Sequence, residues 1–90
     1  DSRDSELRVY PNPTKGDCTV RYVMIHSGES TVEVFDAIGK CVYTDRHNHE
    51  KAGLHSIALN LKSNFLENGI YTIRIRHDGI SENVRLILAE

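Results

Sequence analysis

Ile57-Ala58-Leu59-Asn60-Leu61 and Leu66-Glu67-Asn68-Gly69-Ile70-Tyr71-Thr72-Ile73-Arg74-Ile75 decide the fold. In the first, the apolar residues fall at Ile57, Leu59 and Leu61. A side-chain period of two is that of a strand with one face buried. The second resumes it at Tyr71, Ile73 and Ile75. Between them Lys62 to Asn68 carries no such period and reads as a crossover. Leu66, Gly69 and Tyr71 close that crossover with the spacing of a tyrosine corner. In that device the glycine permits a bend and the tyrosine hydroxyl bonds back to the crossover backbone. Tyrosine corners belong to β-sandwiches.

Working outward, the same reading finds five more strands. Leu7 and Val9 start the first, and Pro11 and Pro13 end it, because proline donates nothing to a ladder. Asn12 precedes a proline and is pushed out of the helical region. Gly16 is placed to take a positive φ and turn the chain back. The next strands are Cys18 to Met24, Thr31 to Asp36 and Lys40 to Asp45. Asp36-Ala37-Ile38-Gly39 reads as a type I turn closed by a left-handed glycine. A polar loop is expected from Arg46 to Ala52, and Gly53 ends it. The last strand runs from Asn83 to Ala89, with Val84, Leu86 and Leu88 inward. No segment has capped helical periodicity. Seven strands at about 8–12-residue spacing predict an all-β, seven-stranded immunoglobulin-like β-sandwich with Greek-key topology. A small barrel is the alternative.

The final hairpin can close in two ways. A turn from Asp78 to Ser81 sets Ile75, Ile73 and Tyr71 against Val84, Leu86 and Leu88. A two-residue turn pairs Ile75 with Glu82 and wastes a core position. The first register is therefore expected. It places Arg74 opposite Arg85 on the outer face, a like-charge pair costing some tenths of a kcal/mol. Either these arginines form a basic stripe for an anionic partner, or they are solvated and find carboxylates nearby. The second is the more ordinary outcome.

Ninety residues make one domain. A net charge of -2 makes nucleic acid an unexpected partner. No apolar run approaches the roughly 18 residues of a membrane span. Asp1 is not an initiator residue, so the chain reads as cut from a longer protein. Residues 1–6 are expected to be a linker or cleavage junction, and residues 7–90 the folded domain. Cys18 is in phase with the core residues of its strand, whereas Cys41 is out of phase with Val42. Their Cβ vectors then diverge, and two free thiols are expected. His47, His49 and His55 have ligand chemistry without a fixed ligand spacing, so no metal is expected. No nucleophile elbow, phosphate loop or convergent acid-base pair is present, and neither an enzyme nor a cofactor is predicted.

Four motifs, in order, carry a resemblance over nearly the whole chain. They are Pro11-Asn12-Pro13 with Gly16; Asp36 with Gly39 and Lys40; Leu66 with Gly69, Ile70 and Tyr71; and Arg85 before Leu86-Ile87-Leu88. The chain resembles the type A C-terminal sorting domain of proteins exported by the type IX secretion system of Bacteroidota. Lysine is common in the family where Arg85 stands; arginine keeps the charge and changes the donor geometry.

The resemblance implies a non-catalytic export signal. It crosses the periplasm with its parent protein, which lies N-terminal to residue 1. Outer-membrane translocon, shuttle and sortase proteins then recognise it, and the sortase often removes it at the cell surface. Pro11, Asn12, Pro13, Gly16, Asp36, Gly39, Lys40, Gly69, Tyr71, Arg74 and Arg85 are the expected recognition residues. The rival reading is a fibronectin-like or carbohydrate-binding module of an exported enzyme or adhesin. It is weakened by the lack of tryptophan, with Tyr10, Tyr43 and Phe35 the only rings expected at the surface.

Overall fold

A computed structural model describes residues 7–90. The expected junction at residues 1–6 lies outside the described residues. Seven strands are present among them: β1 (Arg8–Tyr10), β2 (Asp17–Met24), β3 (Gly28–Phe35), β4 (Cys41–His49), β5 (Gly53–Asn60), β6 (Gly69–His77) and β7 (Ile80–Leu88). A 3-10 turn, Lys62–Asn64, interrupts the crossover. All strand pairings are antiparallel and form two sheets, β1-β2-β5 and β4-β3-β6-β7. No helix among the described residues is long and apolar enough to cross a membrane.

The period-two pattern sets which side chains meet between the sheets. Val20, Tyr22 and Met24 of β2 face Val32 and Val34 of β3, Ile73 and Ile75 of β6, and Leu86 and Leu88 of β7, all at most 2% exposed. Leu7, Val9, Cys18, Leu59, Leu61 and Tyr71 complete the core. Each buried aliphatic side chain contributes about 1.5–3 kcal/mol over its exposed state. Cys18 is buried and Cys41 exposed, both as free thiols, as the opposed phases require. Burial pushes the Cys18 thiol up to about 11.

Two of the expectations fail here. The segment Arg46 to His49 is strand, not loop: β4 pairs with β3 as far as Gly28↔His49. Main-chain pairing needs no apolar side chains, and β4 is an edge strand whose polar residues carry little periodic signal. The β6–β7 register is also the one rejected on core grounds. His77 pairs with Ile80, Ile75 with Glu82 and Ile73 with Val84. Arg74 therefore faces Asn83, and Arg85 faces Thr72, so the two arginines are not opposite each other.

Local turn chemistry outweighs the lost core position. Asp78 (φ 52°) and Gly79 (φ 75°) both adopt positive φ, the conformation whose twist suits a two-residue hairpin. The Asp78 carboxylate also accepts the backbone amides of Ile25 (2.8 Å) and His26 (3.0 Å), clipping the turn to the β2–β3 connection. The cost remains visible: Oε1 of Glu82 is enclosed without a hydrogen-bond partner.

Candidate recognition surface

The first motif is built into the edge of the larger sheet. Both Tyr10-Pro11 and Asn12-Pro13 are cis. Asn12 Nδ2 donates to the Arg85 carbonyl (2.8 Å), and the Ile87 amide donates to Asn12 Oδ1 (3.0 Å). Thr14 continues the pattern with its backbone: its amide donates to the Ile87 carbonyl (2.8 Å), and the Ala89 amide donates to its carbonyl (2.9 Å). The Asn12 side chain thus stands in for a peptide group. Together the two residues cover the C-terminal half of the free edge of β7, which would otherwise offer bare donors and acceptors there. Thr14 is 1% exposed, and its hydroxyl donates to the Asp17 carbonyl while accepting from the Gly16 amide.

Gly16 takes the expected positive φ, 146°, and its carbonyl accepts from the Leu61 amide (2.9 Å). A Cβ there would lie 2.7 Å from Lys62 Cγ. Pro11 and Pro13 are exposed beside it.

The second motif is a self-satisfied turn. The Gly39 amide donates to the Asp36 carbonyl (3.0 Å), with Gly39 at φ 90°. The Asp36 carboxylate accepts the amides of Ile38 (3.1 Å) and Lys40 (2.9 Å). Asp36 is therefore used by its own turn. The Lys40 ammonium is exposed, with no ion pair among the described residues.

In the third motif the Tyr71 hydroxyl donates to the Glu67 carbonyl, and the ring is 6% exposed. This is the hydrogen bond expected of a tyrosine corner. Gly69 opens β6 and pairs with Leu88. In the fourth motif Arg85 projects from the outer face with no ion pair among the described residues, while Leu86 and Leu88 are core. Arg74 behaves differently. Its Nε lies 2.9 Å from Glu33 Oε1, and its guanidinium sits 4.6 Å over the Phe35 ring. Arg76 shares the same carboxylate at 3.3 Å. The carboxylate outcome holds for Arg74.

These motifs, far apart in sequence, meet at one end of the sandwich. Asn12 bonds β7 at Arg85 and Ile87, and Ile87 pairs with Ile70. Ile38 and Ala37 line a shallow depression with Asn68, Gly69 and Ile70. The exposed side chains of this end include Ile38, Ile70, Ile87, Lys40 and Arg85, beside Pro11 and Pro13. Sequence reading missed Thr14, which has no conspicuous chemistry, and its choice of surface rings is corrected: Phe65 of the crossover is 92% exposed, whereas Phe35 and Tyr43 are half-buried.

The opposite end gathers the histidines. The Tyr22 hydroxyl lies 2.7 Å from Ser30 Oγ and 2.6 Å from His49 Nε2. His49 and His55 stack with centroids 3.9 Å apart, and His47 stacks 6.4 Å from His49. His77 stacks on Tyr22 and binds Asp78 Oδ2 at 2.7 Å. His49 is held below the usual histidine range by burial and by the neighbouring His55 and His47 rings. Nε2 of His49 is thus engaged by the Tyr22 hydroxyl.

No curated protein matches the chain in a sequence comparison. A family model described as the secretion system C-terminal sorting domain matches residues 8–89. The match runs from the first residue of β1 to one residue past β7, and the chain belongs to that family, the C-terminal sorting domains of type IX secretion.

Proposed function

We propose that the end of the sandwich where the four motifs meet is the surface by which the type IX outer-membrane machinery recognises this domain. Family membership makes the domain an export signal carried at the C-terminus of a larger protein, destined for secretion or the cell surface. The observation that carries the proposal is the convergence. Asn12, Asp36, Tyr71 and Arg85 are spread along the chain yet hold one continuous surface.

Within that surface the motif residues divide by role. Pro11, Asn12, Pro13, Gly16, Asp36, Gly39, Gly69 and Tyr71 set its shape through the turns and bonds described. Lys40 and Arg85 present free charge to a partner, and Arg74 is a weaker contact because Glu33 already neutralises it. The sheet order β1-β2-β5 and β4-β3-β6-β7 supports reading the sandwich as immunoglobulin-like with Greek-key connections. The domain travels through the periplasm, and a surface sortase removes it within residues 1–6. It performs no catalysis of its own. The test is a periplasmic reporter fused ahead of residue 1 in a host with this secretion system. The fusion is expected outside the cell. A folded fusion retained in the periplasm like the bare reporter would overturn the reading.

A further inference from the structure

Phe65 is placed against both its local and its global preference. It follows the 3-10 turn Lys62–Asn64 with φ 62° and ψ 28°, in the left-handed region. Its amide donates to the Lys62 carbonyl (2.9 Å), and the Leu66 amide donates to the Leu61 carbonyl (3.1 Å). That pair of bonds is a Schellman closure, whose left-handed residue is usually glycine and sometimes asparagine. A bulky side chain at such φ is an outlier. Among the described residues only Phe65 and Asp78 are non-glycine with positive φ, and the carboxylate clip accounts for Asp78. Phe65 has no comparable compensation, because its ring is 92% exposed. Its side chain neither favours this backbone geometry nor joins the core.

We infer that the Phe65 ring is an anchor that inserts into an apolar pocket on the protein that reads this domain. The inference rests on the sorting function proposed above and names a contact outside the four motifs. Phe65 stands at the same end as they do: the Leu61 amide bonds the Gly16 carbonyl, and Glu67, two residues on, accepts the Tyr71 hydroxyl.

The surroundings favour a protein pocket over a bilayer. In the ring's own segment Ser63 and Asn64 are neutral, Glu67 is acidic, and Lys62 is paired with Glu90 at 2.8 Å; the free cations of this end, Lys15, Lys40 and Arg85, belong to other segments. The whole chain carries a net charge of -2. A membrane-seated ring is normally flanked by free lysine or arginine that meets anionic headgroups. Single exposed aromatic rings that fill a partner's pocket are the usual centres of protein interfaces.

The test separates the ring from the fold. Phe65→Gly suits the left-handed backbone and is expected to raise Tm by about 2–5 °C. The same change should weaken binding of the chain to the purified outer-membrane translocon by about 30-fold or more. It should cut export of the reporter fusion alongside. Phe65→Asn is also compatible with the left-handed backbone and should lose binding too, whereas Phe65→Trp should keep it. Unchanged binding and export in Phe65→Gly, with the unaltered chain exported normally, would overturn this inference and leave the sorting function standing. Failure of the unaltered chain to be exported would overturn both. Flotation of the chain with phosphatidylethanolamine–phosphatidylglycerol vesicles, lost in Phe65→Gly, would assign the ring to a membrane and refute the protein pocket.

Discussion

Asn12→Ala tests whether a side chain really serves as the outermost rung of a sheet. The substitution deletes two hydrogen bonds, from Nδ2 to the Arg85 carbonyl and from the Ile87 amide to Oδ1. Each such bond contributes a net ~0.5–1.5 kcal/mol. Both sites are exposed, so the freed backbone groups return to water, and values near the lower end apply. The expected loss is about 1–2 kcal/mol in total. For a domain of this size that lowers Tm by roughly 4–16 °C.

Urea denaturation should show a lower midpoint with an unchanged slope, since the surface exposed on unfolding is the same. Hydrogen exchange locates the effect. The Ile87 amide should lose protection, while the Ala89 amide, bonded to the Thr14 carbonyl, should keep more of its own. Asn12→Asp is a sharper control. It retains an acceptor for Ile87 but sets an anionic oxygen against the Arg85 carbonyl, so it should cost at least as much as alanine. A Tm within about 1 °C of the unaltered chain, with Ile87 exchange unchanged, would refute the edge-cover reasoning. Asn12→Asp that is milder than Asn12→Ala would refute the assigned amide orientation.

Other consequences follow from the same geometry. Tyr71→Phe should cost about 0.5–1.5 kcal/mol for its bond to Glu67, and an unmoved denaturation midpoint would dismiss the tyrosine corner as a stabilising device. Gly16→Ala should cost more than Asn12→Ala, about 2–3 kcal/mol, because it adds a 2.7 Å contact with Lys62 to a backbone that alanine resists. Acid should act in two windows. His49 is held below its usual value, so its contribution is full above pH ~6.5 and is lost as pH falls below that; His49→Gln should flatten this limb of a stability–pH curve. Asp78 is held at about 2 by the His77 ring and the amides of Ile25 and His26. Its contribution is therefore full above pH ~4 and disappears between there and about 2, and Asp78→Asn should remove that dependence.

Much was decided within a few residues of each position, and that part is readable from the sequence alone. Alternation at Ile57, Leu59, Ile73 and Ile75 set the inward faces. Gly16 and Gly39 marked the backbone that must turn through positive φ. Phase alone separated Cys18 from Cys41, and the spacing of Gly69 and Tyr71 announced the bond to Glu67. Each depends on side-chain period or local sterics, which distant residues do not alter.

The rest depended on what lies across the sheet. The polar end of β4 became strand because β3 supplies its hydrogen bonds. In the β6–β7 hairpin, filling the core and satisfying the turn demanded different registers. Asp78 decided the outcome by binding Ile25 and His26, residues that the hairpin sequence does not contain. Asn12 owes its role to partners 73 and 75 residues away. The end proposed for recognition follows the same rule: its motifs are legible one by one, but only the pairing of Ile70 with Ile87 and the docking of Asn12 on β7 bring them together. A chain records its own local preferences; which of them prevails, when two conflict, is set by the free energy of contacts that exist only once the sheets have formed.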